Sequence, residues 1–134
     1  MRQIIWKDEY LTGVEEIDRQ HKEFVKLINR LNIIHDCGNY SGYALRLLNE
    51  VGKYADYHFT SEENLMIITK YPQLESQEKA HKDLLIRYRQ LVESYKSQNA
   101  GIDDIIHFLE VWFTGHTVQV DKKIGEFLAK TPSS

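Results

Sequence analysis

Cysteine occurs once in the 134 residues, at Cys37, so neither an intramolecular disulfide framework nor a thiolate-based zinc site can form. A reducing, cytoplasmic compartment is the expectation. Proline occurs only at Pro72 and Pro132, and the chain contains no low-complexity tract. No run of about 18 apolar residues exists, which leaves no candidate membrane span, and the start MRQIIWKDEY lacks the apolar core of a secretion signal. Basic surplus is missing too: 17 Lys and Arg against 20 Asp and Glu give a formal net charge of −3. With nothing to neutralise phosphates, neither nucleic acid nor a membrane surface is an expected partner. No HExxH, P-loop or GxGxxG pattern is present, which removes metalloprotease and nucleotide-binding readings.

What is present is a helix-forming pattern with few interruptions, in a chain of one-domain length that is able to bury a core. The spacing predicts an all-α protein, an antiparallel up-down-up-down four-helix bundle with an N-terminal arm, as a single domain over 1–134. The arm covers 1–17, and helices run over approximately 18–37, 41–69, 73–98 and 102–129. Asp18 is the expected N-cap of the first helix, and Gly38 and Asn39 its stop. Tyr71-Pro72 stops the second, because proline disfavours a helical residue before it. Asn99, Ala100 and Gly101 make the turn into the fourth, and such short connections imply antiparallel neighbours.

Each helix carries an apolar stripe that is polar at one place. In the first, Ile17, His21, Phe24, Ile28, Leu31 and His35 alternate four and three. The second gives Leu47, Val51, Tyr54, His58, Glu62 and Leu65, and the third Leu74, Gln77, His81, Leu84, Tyr88, Leu91 and Tyr95. The fourth reads Ile102, Ile105, Leu109, Trp112, His116, Val120 and Phe127, with Asp121 one residue off the stripe. In up-down-up-down topology the start of one helix is level with the end of the next. His21, His58 with Glu62, Gln77 with His81, and His116 with Asp121 therefore fall in one layer. Burying four imidazoles and two carboxylates there would cost several kcal/mol for each uncompensated group, roughly, and bound cations remove that cost.

The donor set of imidazole and carboxylate without thiolate suits iron, manganese or zinc. Four histidines and two carboxylates exceed the needs of one ion, and a carboxylate can bridge two ions about 3.5 to 4 Å apart, the natural use of Glu62 and Asp121. The ferritin-like di-metal plan needs Glu-x-x-His on two helices. Here only Glu78-x-x-His81 has that spacing, since Ala55 and Phe113 stand three before His58 and His116. His35 lies about 21 Å along the helix from His21, and His107 about 13 Å from His116 on the opposite face. Both are assigned as structural or surface groups.

The stretches Ile17-Asp18-Arg19-Gln20-His21 and His58-Phe59-Thr60-Ser61-Glu62-Glu63 with Leu65-Met66, the Tyr71-Pro72 pair, His116 with Asp121 five later, and Trp6 in the arm resemble the hemerythrins, particularly bacterial ones. The likeness covers nearly the whole chain. It implies a non-haem di-iron site that binds dioxygen, or another small diatomic or anionic ligand, reversibly, as a carrier, store or sensor. In that family one iron carries three histidines and the other two. Carried over, His21 and His58 hold the iron with the open position, Glu62 and Asp121 bridge, and His81 and His116 hold the other iron. The third histidine of that iron falls on Gln77, a departure from the pattern. The Gln77 amide oxygen is a neutral, harder and weaker donor for iron(II) than imidazole. Gln77 ligates through oxygen, or holds a water in the gap, or leaves the position to Glu75 or Glu78. The open coordination also raises the alternative of a di-iron enzyme with peroxidase-like or oxidase-like activity. The sequence identifies no electron-transfer or delivery partner.

Overall fold

A computed structural model describes residues 4–37 and 41–130, and they are almost entirely helical. A 3-10 turn, Asp8–Tyr10, interrupts the arm. It is followed by α1 (Glu15–Cys37), α2 (Ser41–Thr69), α3 (Leu74–Lys96), α4 (Ile102–Val111), a π-helical segment Trp112–Thr117, and α5 (Val118–Lys130). Backbone angles stay helical through both junctions of the π segment, so α4, the segment and α5 form one continuous rod. α1 packs on α2, α2 on α3, α3 on α4 and α4 on α1, which closes four rods into the expected four-helix bundle. Among the described residues no helix is long and apolar enough to cross a membrane.

The helix ends depart from the sequence expectation in physically informative ways. α1 begins three residues before Asp18, whose own N–H already donates to the Val14 carbonyl at 2.9 Å. Asp18 is therefore not the N-cap. Its carboxylate instead reaches back to the loop, accepting from Thr12 N–H (2.7 Å), the Thr12 hydroxyl (2.8 Å) and Gly13 N–H (3.2 Å). Gly13 sits at φ +90°, where a side chain would be strained. The stop proposed at Gly38 and Asn39 lies outside the described residues. α2 ends with Lys70 at φ 57°, and the N–H groups of Tyr71 and Lys70 return to the carbonyls of Met66 and Ile67. α3 repeats that closure two residues earlier than expected: Gln98 is at φ 65°, and Asn99 and Gln98 return to Ser94 and Tyr95. Both are Schellman ends built without glycine.

The core is in two parts. The larger contains Phe24, Ile28, Leu31, Leu47, Leu48, Val51, Phe59, Ile105, Leu109 and Phe113 among its buried residues. The smaller contains Ile17, Met66, Tyr71 and Ile124. On every rod the polar residues singled out above lie between the two clusters.

The arm is tied to the bundle. Ile4 and Asn29 exchange hydrogen bonds at 2.8 and 2.9 Å, Trp6 and Tyr10 pack edge to face, and Tyr10 does the same on Phe113. Gly125 is buried on α5, and a Cβ there would collide with the backbone carbonyl of Thr12. Gly125→Ala is expected to destabilise the protein by about 1–3 kcal/mol, because the obstacle is backbone and the Asp18 carboxylate holds it in place. Chemical denaturation checks this; a variant as stable as the parent would show that the loop yields freely.

Candidate metal centre

Four side chains from three rods meet in the layer between the two core clusters. The donor atoms of His21, His58, Glu62 and Asp121 all lie within 4.8 Å of one another, and all four residues are buried. His21 Nε2 is 2.9 Å from Asp121 Oδ2 and 3.2 Å from His58 Nε2. Two imidazole lone pairs at that separation repel unless a proton or a cation is shared between them. The two oxygens of Glu62 face different histidines. Oε2 is 2.9 Å from His58 Nε2 and 3.8 Å from His21 Nε2, whereas Oε1 is 3.3 Å from His81 Nε2.

The remaining candidates come from α3 and the π segment. Gln77 is inward-facing and 8% exposed, one turn before His81, and its Oε1 has no hydrogen-bond partner. Glu75 and Glu78 are exposed, so the structure does not bring either of them into the layer. His116 Nε2 is likewise buried without a partner, and its ring feels the charges of His81 and Glu62. His35 is exposed beside Asp36 and His107 is exposed on α4, both away from the layer.

Asp121 reaches the layer because of the π segment. There Val118 N–H donates to the carbonyl of Phe113, five residues back instead of four. The wider turn moves the inward register on by one residue. Asp121 is accordingly buried, while Val120, which the even stripe placed inward, is only half-buried.

These residues fit a cation. Both oxygens of Glu62, Gln77 Oε1 and His116 Nε2 are buried acceptors that receive no well-directed hydrogen bond. Buried acceptors are normally satisfied, and positive charge placed among them supplies what is missing. Without a cation, protons must carry that charge. Burial, the largest influence on each of His21, His58 and His81, pushes its pKa down. It is outweighed by carboxylates: Asp121 and Glu62 at His21, and Glu62 first at His58 and His81. The net shift is upward in all three, to about 9 for His58. Burial also pushes Glu62 up, but His58, His21 and His81 hold it well below the usual carboxylate range. Burial and the neighbouring Glu62 charge raise Asp121 to about 6. His116 goes down, through burial and repulsion by His81.

The Hemerythrin HHE cation binding domain family model matches residues 12–128. The chain belongs to the hemerythrin family. A bacteriohemerythrin of Clostridium acetobutylicum is 23% identical over 128 residues, covering 89% of this chain and 96% of the relative. One from Methylococcus capsulatus is 28% identical over 122 residues, 90% of this chain and 92% of the relative. A myohemerythrin of Theromyzon tessulatum is 27% identical over 119 residues, 88% of each. Among solved structures, the crystal structure of a hemerythrin carrying a single leucine-to-alanine substitution superposes with a TM-score of 0.84 at 26% identity, covering 96% of this chain and 99% of that one. The hemerythrin resemblance read from the motifs is thereby established over residues 12–128, and the layer carries a His, Glu and Asp cluster that could hold a cation.

Some supporting groups of this hemerythrin site had no role in the sequence reading. His58 Nδ1 is 2.7 Å from Gln20 Oε1, and Gln20 Nε2 donates onward to the Ser61 hydroxyl at 3.0 Å. The Tyr54 hydroxyl donates to the Gln20 carbonyl at 2.9 Å. His81 Nδ1 is 2.9 Å from Glu63 Oε2, and the Phe59 ring stacks on the His81 ring at 4.0 Å. A donating Nδ1–H fixes the tautomer that leaves the Nε2 lone pair toward the layer.

The shifts set a pH dependence for the metal-free protein. A raised histidine pKa contributes stability that is complete below the unfolded value near 6.5 and disappears as pH rises through the folded value. For His58 that window runs from 6.5 to about 9, and His21 and His81 act in the same direction. Glu62 acts oppositely, its contribution being lost toward acid. Metal-free protein is therefore expected to melt at lower temperature at pH 9.5 than at pH 6.5, by several degrees. A melting temperature that rises across that interval would contradict proton-held charge balance in the layer.

Proposed function

We propose that this hemerythrin-family chain is a non-haem di-iron protein that binds dioxygen reversibly, as a carrier, store or sensor. The observation that carries the two-ion reading is the division of one carboxylate: Glu62 Oε2 faces His58 and His21, and Glu62 Oε1 faces His81. A carboxylate shared in this way is a bridge in the making. His21 and His58 would hold one ion, His81, His116 and Gln77 would hold the other, and the carboxylates of Glu62 and Asp121 would be shared between them. Two ferrous ions in such a site supply the paired electrons that reversible dioxygen binding needs.

The chain's own groups do the rest. Gln20 and Glu63 orient the imidazoles of His58 and His81 by accepting from Nδ1. Phe24, Phe59, Trp112 and Phe113 are buried and pack ring against ring, and Phe113 also lies edge-on to His21, which gives that histidine an apolar wall. For Gln77, the buried and unpartnered Oε1 supports direct ligation. The peroxidase-like or oxidase-like alternative gains nothing from the relatives quoted above, which carry hemerythrin names. The single cysteine supports a cytoplasmic location.

Iron content per chain and the visible spectrum test the reading, taken anaerobically after reduction and again after brief exposure to air. A pair of irons and a band that comes and goes with oxygen are expected. A site that prefers zinc or a single iron, or that oxidises at once without a reversible band, overturns it. Gln77→His restores an imidazole and is expected to slow autoxidation by about tenfold, as about 1.4 kcal/mol of added ligand strength would. Identical decay in the two proteins would remove Gln77 from the ligand set.

A further inference from the structure

We infer that the Thr117 hydroxyl donates a hydrogen bond to the small ligand taken up beside His21, and so favours anionic ligands at this site. The inference rests on the di-iron reading above and adds a residue that sets ligand preference.

Thr117 is 3% exposed, and its Oγ1 is buried without a hydrogen-bond partner. Two other threonines in these helices are satisfied locally. The Thr69 hydroxyl donates to the Leu65 carbonyl at 2.8 Å and the Thr114 hydroxyl to the Glu110 carbonyl at 2.9 Å, both four residues back. For Thr117 the corresponding carbonyl belongs to Phe113. In the π segment that oxygen receives Val118 N–H, and the Thr117 hydroxyl does not bond to it.

The neighbours on the same face locate the hydroxyl. One turn earlier, the Phe113 ring packs edge-on against His21 with centroids 5.7 Å apart. One turn later, Asp121 Oδ2 is 2.9 Å from His21 Nε2. All three residues are buried, so Thr117 occupies the wall between two groups that touch His21. His21 and His58 are the ligands assigned to the ion with the open position.

A cation accounts for the unpartnered oxygens of Glu62, for Gln77 Oε1 and for His116 Nε2. It does not account for a neutral hydroxyl, which is a poor metal donor beside imidazoles and carboxylates and retains a proton to give. An unpartnered buried hydroxyl is costly, and valine has nearly the same shape without that cost. A small ligand with a negative or lone-pair-bearing atom supplies the missing acceptor, and a hydrogen bond to a charged acceptor is the stronger kind.

Azide is the probe. It would be titrated into iron-loaded, oxidised parent, Thr117→Val and Thr117→Ser proteins, with iron content measured for each and the infrared stretching band of bound azide recorded in H2O and D2O. Melting of the metal-free forms gives a readout independent of the loaded site. Thr117→Val is expected to load iron like the parent, bind azide about tenfold more weakly, and lose the D2O sensitivity of the band. Its metal-free form should melt a few degrees higher. Thr117→Ser should keep the affinity within about threefold and retain the isotope shift. Equal azide affinity and an equal isotope shift in parent and Thr117→Val overturn the inference and leave the di-iron reading standing. A parent protein that takes up no iron overturns both.

Discussion

Two carboxylates, Glu62 and Asp121, are buried in the middle of a helical bundle, and the structure around them answers to the need for positive charge at that level. Four imidazoles surround them, and protons or metal ions can bring the charge, but both occupy the same Nε2 lone pairs. The two states of the layer are thus exclusive. The carboxylates push His58 up to about 9 in the metal-free protein, so a cation binding there would displace protons and would bind more tightly as pH rises. The layer also divides the hydrophobic core, leaving Ile17, Met66, Tyr71 and Ile124 as a separate small cluster beyond it. That cluster and the main core are joined through polar groups, so a cation bound in the layer would couple to the packing of the small cluster.

α3 depends on the layer more than the other rods do. Its fully buried residues are Gln77, His81 and Tyr88, each of which carries a polar group. Tyr88 is anchored by a 2.7 Å hydrogen bond to the Leu48 carbonyl and packs over Gly52, where a Cβ would come within 3.3 Å of the tyrosine ring. His81 is held between the Phe59 ring and the Glu63 carboxylate. Leu84, Leu85, Leu91 and Val92 add only partly buried surface. A rod fixed by so few buried apolar groups gains much of its position from the atoms that meet at Glu62.

The layer was legible because histidine, glutamate and glutamine stood at apolar spacing on every helix, at one level of an antiparallel bundle. His58 with Glu62 and Gln77 with His81 needed only the four-residue repeat of a regular helix, and that repeat is intact in α2 and α3. Asp121 was found off its stripe for a reason the stripe could not contain. A π turn is a hydrogen-bonding choice five residues long, made where Trp112–Thr117 packs against the layer, and no residue type in that stretch demands it. Gln20 and Glu63 were invisible as orienting groups because each acts on a histidine of another helix, at a sequence distance set by the bundle. Asp18 was misassigned as a cap because a carboxylate near a helix start bonds whichever free N–H groups lie closest, here those of Thr12 and Gly13. Lys70 and Gln98 end their helices in the left-handed region, where the sequence pointed instead to the Tyr71-Pro72 pair and to the turn through Asn99, Ala100 and Gly101.

Gln77 is compatible with this layer because exchanging imidazole for amide leaves the charge unchanged. Both side chains are neutral, so the charge set by Glu62 and Asp121 is untouched, and Gln77 keeps the inward position at 8% exposed. What changes is the character of the donor. An amide oxygen is harder than an imidazole nitrogen, and harder donors favour the higher charge on iron. In the proposed site, an iron beside His81, His116 and Gln77 would therefore be biased toward its oxidised state relative to one with imidazole in place of the amide. An amide at constant charge would thus alter the donor at one position while leaving the packing of the bundle and the charge of the layer in place.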